Sequence, residues 1–189
     1  GGSTKVWRDL GVQIRGLAVN KKLHWRLGVF NGIEGTKTPG LDENGVQLPS
    51  VNDSDFPRLA GTIRYSILGS EPKFFYNGIY FADEPILSIG TGFDFQPDAF
   101  VIPDLLDKDG NPETYRLDDY GAVSADLFLD VPIGDKHEII FQTNFFYYYQ
   151  GEKQANTGFG FFGEFGYRYW FFEPVISYER FWSDKEATD

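Results

Sequence analysis

Apolar and polar residues alternate with a period of two along most of the chain, which predicts half-buried β-strands rather than helices. From Arg8 to Asn20, Leu10, Val12 and Ile14 fall on one face, and Asp9, Gln13 and Arg15 on the other. A second strand begins after Lys21-Lys22, with Leu23, Trp25, Leu27 and Val29 alternating with His24, Arg26 and Gly28. The same reading predicts strands over 58–68, 86–96, 121–131, 138–149, 157–169 and 173–182. Leu127, Phe141 and Phe161 continue the apolar side in the later strands.

These eight strands are mostly long. Strands in soluble proteins average about 5–6 residues, whereas about 9–11 tilted residues cross a bilayer. Connection lengths alternate too. The stretches 35–56 and 97–119 are long, polar and rich in Gly, Pro, Asp and Asn, and they read as loops. Two strands separate them, so parity puts both on one rim, with shorter turns on the other. Long external loops and short periplasmic turns are the habit of outer-membrane barrels. The connector 69–85 is the long exception on the short-turn rim; its Phe and Tyr residues suggest packing at a membrane interface. Aromatics also cluster at strand ends, Phe145, Tyr147 and Tyr149 at one level and Tyr167 through Phe172 at the other, as two headgroup belts require. The pattern predicts an all-β, antiparallel transmembrane β-barrel segment forming a single unit over 1–189. A soluble lipid-binding barrel would reverse the faces, apolar inside and polar outside.

Composition adjusts this picture at a few points. Aromatics make up 18% of the chain, which favours strands. The formal charge is −11, so nucleic acid, which needs a basic face, is excluded as a partner. There is no cysteine, and thus no disulfide, thiol catalysis or Cys-based metal site. A mean hydropathy of −0.34 does not count against a barrel, since only alternate residues meet lipid. No apolar run of about 18 residues could form a membrane helix. The chain starts Gly1-Gly2-Ser3 and has no methionine, so residues 1–5 read as a linker or unstructured start.

No enzymatic signature stands out, and no cofactor is expected. His24 and His137 lack metal-ligand spacing, no Gly-x-Ser-x-Gly elbow exists, and Gly90-Thr91-Gly92 lies inside a strand. The polar face carries Arg15, Arg26, Arg64 and Arg168 together with Asp94, Asp126, Glu164 and Glu179. Gln142 and Asn144 share it. If this face lines water, these ten side chains set the field along a pore, with arginines favouring anions and carboxylates cations. Acids and bases are mixed, so mutual neutralisation across neighbouring strands is the competing expectation. Arg15 and Arg26 lie about equally far from the turn at Asn20, and Arg64 follows on the next descending strand. That trio predicts a local anion preference. Asp107, Asp109, Asn111 and Asp118 partly match a calcium loop, but Pro112 occupies the position that should be glycine, and Asp109-Gly110 is a strong turn signal.

Several segments resemble the phosphate-selective porins of bacterial outer membranes. They are Arg8-Asp9-Leu10-Gly11-Val12-Gln13, Leu27-Gly28-Val29-Phe30-Asn31-Gly32, the run from Ile86 to Gln96, and Gly166-Tyr167-Arg168-Tyr169 followed by Glu173-Pro174. The similarity runs in order through most of the chain. It implies a 16-stranded, usually homotrimeric porin of the Gram-negative outer membrane. Such a channel is in contact with lipid and lipopolysaccharide and passes small hydrophilic, including anionic, solutes. The chain has about half the implied strands, starts at what looks like a middle strand, and ends at Asp189 without a terminal aromatic strand. The expectation is therefore a middle-to-late portion of a larger barrel. A small closed eight-stranded barrel with a structural, adhesion or receptor role, and no wide channel, is the alternative.

Overall fold

The computed structural model describes residues 10–32, 40–70, 81–151 and 156–184. Eight strands follow one another: β1 (Gly11–Ala18), β2 (Leu23–Phe30), β3 (Arg58–Leu68), β4 (Ile86–Leu106), β5 (Pro112–Ile133), β6 (His137–Tyr149), β7 (Gly158–Tyr169) and β8 (Val175–Ser183). They form one antiparallel sheet in the order β1 to β8, so each strand pairs with its neighbours in sequence. No helix occurs among the described residues. The expected barrel is not closed: β1 and β8 are the two edges and make no contact with each other.

Register carries the alternation across the whole sheet. Val29 of β2 lies opposite Val12 and Leu59, Leu59 opposite Phe95, and Ile89 opposite Tyr65 and Leu127. Phe141 then sits opposite Leu129 and Phe165. One side of the sheet is therefore apolar from edge to edge, and the expected Leu10, Val12, Leu23, Leu27, Leu127, Phe141 and Phe161 all belong to it. No described residue packs over that side: Val12 remains 73% exposed and Ile176 72%. The opposite, polar side is concave, because residues from β1 through β6 line a single cleft on it.

Glycines on this sheet are covered by rings from the facing strand. Trp25 lies over Gly16 and Phe93 over Gly61, each directly opposite in register. A Cβ on either glycine would meet the ring at 2.6 Å. Aromatic cover of this kind restores apolar contact where a glycine leaves backbone bare.

Two expectations need correction. Residues 97–119 are not a loop. β4 and β5 continue through them as a two-stranded hairpin, with register shifts between Gln96 and Phe100 and again between Pro103 and Leu106. Its tip turns at Asp107–Asn111, where Gly110 takes a positive φ of 85°. Pro97, Pro103 and Pro112 make the stretch read as loop, yet proline is tolerated where a ladder is irregular or at an edge. The connector 69–85 also departs from expectation at its described end. Ala82 packs against the buried cluster Ile86, Phe128 and Ile140 on the concave side. Phe81 lies under the Arg168 guanidinium, 4.1 Å from ring centroid to Cζ. This end covers the concave face rather than lying at the apolar rim. Residues 71–80, like 1–5 and 33–39, lie outside the described part.

Other boundaries follow the sequence pattern closely. The first strand is shorter than 8–20, and residues 8 and 9 lie outside the described part. The described remainder of the 35–56 stretch contains a small bridge between Leu41 and Gln47.

Candidate functional site: the concave wall

A cleft of about 440 Å³ runs beneath the long-loop rim, lined among others by Gln13, Arg26, Arg58, Asp94, Ser124 and Tyr148. Even-numbered positions of β2 to β5 supply most of its polar atoms, since a strand sends alternate side chains to the same side. Arg26, Thr62, Gly92 and Ser124 form one continuous row in register.

Ion pairs organise the face. Arg58 Nε donates to Asp94 Oδ1 at 2.7 Å, and its Nη2 bonds the second oxygen, a two-point clamp between β3 and β4. The same guanidinium lies 5.7 Å from the Tyr120 ring centroid. Arg64 Nε donates to Ser88 Oγ at 3.2 Å, while Nη1 pairs with Asp126 two strands away on β5. Gly90 stands between them, opposite both Arg64 and Asp126, and its missing side chain opens the path. On β6 and β7, Arg168 pairs with Glu138 directly opposite, and Glu138 is 1% exposed. Gln142 Nε2 donates to Glu164 Oε1 at 2.6 Å, again a directly opposed pair.

The ten residues singled out from sequence thus share one side of the sheet. Arg15 and Arg26 face each other in register, at the common depth their spacing implies. Arg64 stands two positions further along, opposite His24, and is engaged by Asp126 rather than joined to the other two arginines. Asn144 lies opposite Asp126, and Glu179 opposite Phe162 on the exposed edge strand β8. The ten candidates leave out Arg58, Glu138 and the buried Asp130, the last of which alternation already puts on the polar face. All three have even numbers within strands whose even positions are polar, so parity was the available signal. They also leave out the aromatic part of the wall, Tyr120, Phe146 and Tyr148, because alternation of polarity fails there.

The acidic residues at the hairpin tip form a turn. Asp107 Oδ1 accepts from the Asp109 and Asn111 amides at 2.8 Å, and Asn111 Nδ2 donates to Oδ2 at 3.2 Å. Bonds from the Asn111 backbone and side chain hold the Asp107 carboxyl below its usual range. Asp118 lies well along β5 and accepts the Tyr149 hydroxyl at 2.8 Å. The calcium-loop alternative therefore does not assemble, and no group of three or more candidate ligands occurs among the described residues.

The two rim segments touch. Tyr115 on the hairpin donates its hydroxyl to Asp42 Oδ2 at 2.8 Å, and the Asn52 amide donates to the Asp98 carbonyl at 2.9 Å. Asn52 is buried and closes a local loop with Phe56 through two further bonds. The apolar side bears aromatic rows at both ends. Tyr147, Phe159 and Trp182 run across β6 to β8 at the loop end, with centroids 6.3 and 6.4 Å apart. At the turn end, His137 is hydrogen-bonded to Tyr167 at 2.6 Å and packs on Tyr169, beside the exposed Trp170 and Phe171. Comparison with protein-family models, with curated proteins and with solved structures gives no match for this chain.

Proposed function

We propose that this sheet is part of the wall of an outer-membrane β-barrel and that its concave side lines a water-filled channel for passive diffusion of small hydrophilic solutes. The observation that carries the reading is the division of the sheet into two sides. An apolar side that no described residue covers spans all eight strands and carries aromatic rows at both ends of its later strands, and a concave side holds Arg58–Asp94, Arg64–Asp126 and Arg168–Glu138. A soluble sheet would bury the apolar side, since monomers rarely expose contiguous apolar patches beyond a few hundred Å². A bilayer removes that penalty, and the ion pairs then stand on the watered side. On this reading the partners are outer-membrane lipid and lipopolysaccharide. The likeness to phosphate-selective porins, including their trimeric assembly, is part of the proposal.

Reconstitution into planar bilayers tests it. Stepwise conductance from the intact barrel that contains this wall is the expected result. Insertion without conductance overturns the channel and favours a small closed barrel of structural or adhesion role. For that second reading, Phe128 and Phe146 stand on the concave side and would help fill a narrow interior. Solubility as a monomer without detergent overturns both.

A further inference from the structure

The chain's charge is concentrated at one place. Residues 40–56 carry four acidic residues and no basic one, and residues 97–119 carry seven against Lys108 and Arg116. This leaves a formal −9 on the rim, out of −11 for the whole chain. The two segments are joined by the Tyr115–Asp42 and Asn52–Asp98 bonds, so the charge stands on one connected structure. The concave wall below has no comparable excess. Its arginines at 58, 64 and 168 are each matched by a carboxylate. Arg15 and Arg26 are offset on the same side by Asp130, Glu164 and Glu179.

We infer that the cleft under the rim favours cationic over anionic small solutes. Tyr120, which lines the cleft, is adjacent in sequence to Asp119, and Asp118 is two residues away. At about 3.3 Å per residue, the backbone positions of these two rim acids stand about 3–7 Å along the strand from Tyr120. That is within the Debye length of about 8 Å at physiological salt, so water and ions do not screen them away. The Arg58 and Arg64 guanidiniums already grip Asp94 and Asp126, so neither can give a passing anion its full fork of donors. The sign is thus set by the rim and is opposite to what the arginine count alone predicts. The consequence for permeation rests on the channel reading, but the field in the cleft does not.

The absence of cysteine allows a direct test. Ser124→Cys places the only thiol on the cleft wall. Its reaction rates with a cationic trimethylammonium and an anionic sulfonate methanethiosulfonate reagent are each divided by the rate for a free thiol. The normalised ratio is expected to favour the cation by at least about fivefold at low salt and to fall toward one in about 1 M salt. Asp98→Asn with Asp119→Asn should lower the low-salt ratio. A ratio of one or below at low salt overturns the inference. So does a thiol that neither reagent reaches in the folded protein, since the cleft would then hold no water. In bilayers, reversal potentials in a salt gradient should show cation preference. An intact barrel that keeps the cationic bias at the introduced thiol but conducts nothing overturns the channel and leaves the field standing.

Discussion

Arg64 on β3 reaches past an entire strand to the Asp126 carboxylate on β5, through the gap left by Gly90 on β4. The two side chains are 14% and 23% exposed, so the pair is largely shielded from water. A methyl group at Gly90 would collide with the Asp126 carboxylate. Gly90→Ala is therefore expected to cost about 1–3 kcal/mol, the usual toll of overpacking, although alanine suits a strand better than glycine. At Gly92 a methyl would meet Ser124 Oγ at 3.1 Å and Thr62 Cγ2 at 3.3 Å, a milder crowding, so Gly92→Ala should cost less. Urea unfolding from lipid vesicles measures both. Equal losses at the two positions would show that the Arg64–Asp126 path does not depend on Gly90.

The apolar side gives a second prediction. Leu127 lies mid-sheet, opposite Ile89 and Thr143, on the side that no described residue covers. In a bilayer, Leu127→Arg should destabilise the protein by about 2–4 kcal/mol, the cost of a cationic side chain near the midplane. Ser124→Arg, on the concave side, should cost much less. If the two substitutions unfold at the same urea concentration in vesicles, the apolar side does not face lipid.

How much of this was legible in the sequence depends on what each stretch packs against. Strands β3 to β8 announced themselves because one side is apolar throughout, and alternation is then compulsory: a slip of one residue would reverse every side chain. Beyond Gln96 and Tyr120 that pressure disappears. The hairpin there carries Pro, Asp and irregular register, and its ladder is visible only in three dimensions. Ion partners were harder still. Arg58 and Glu138 sit at strand starts, where parity marks their side but not their partner. The Arg64–Asp126 bond spans two strands, so pairing only neighbouring strands could not find it. Whether β1 and β8 pair with anything is likewise not written in alternation, which both edges share with the interior.

Orientation provides a third prediction. The hairpin tip and the turn between β5 and β6 are at opposite ends of the sheet. With no native cysteine, Asp109→Cys and Asp135→Cys each give a single thiol. An impermeant maleimide should label position 109 on intact cells and position 135 only after permeabilisation. Labelling in the reverse order would invert the proposed orientation, and labelling of both on intact cells would overturn the membrane reading.

The last prediction concerns acid and the docking of the two rim segments. Partial burial acts to raise the Asp42 carboxyl, but the bond from Tyr115 and those from the Val46 and Asn44 amides outweigh it. The net effect lowers its pKa from the ordinary 3.8. A carboxyl lowered on folding stabilises the folded arrangement above its unfolded pKa, and that contribution is lost as pH falls through the folded value. Tyr115 moves the other way. The bond to Asp42 is the main cause, with burial and the charges of Asp42 and Glu43 adding to it, and its pKa rises above 10.0. Its contribution is complete below 10.0 and fades as pH rises through the raised value. The contact should therefore hold through the neutral range and loosen below 3.8 and well above 10.0. Amide exchange of residues 40–56, followed from about pH 6 to about pH 2.5 after correction for intrinsic rates, should show protection falling in the acid range where Asp42 gains its proton. Asp107 titrates at the tip under similar bonds, so Asp42→Asn is the variant that isolates this contact. It should begin with weaker protection at about pH 6 and respond less to acid. Protection that falls equally in the wild type and in Asp42→Asn would assign the acid response to other carboxyls and leave the Tyr115–Asp42 bond without a part in it.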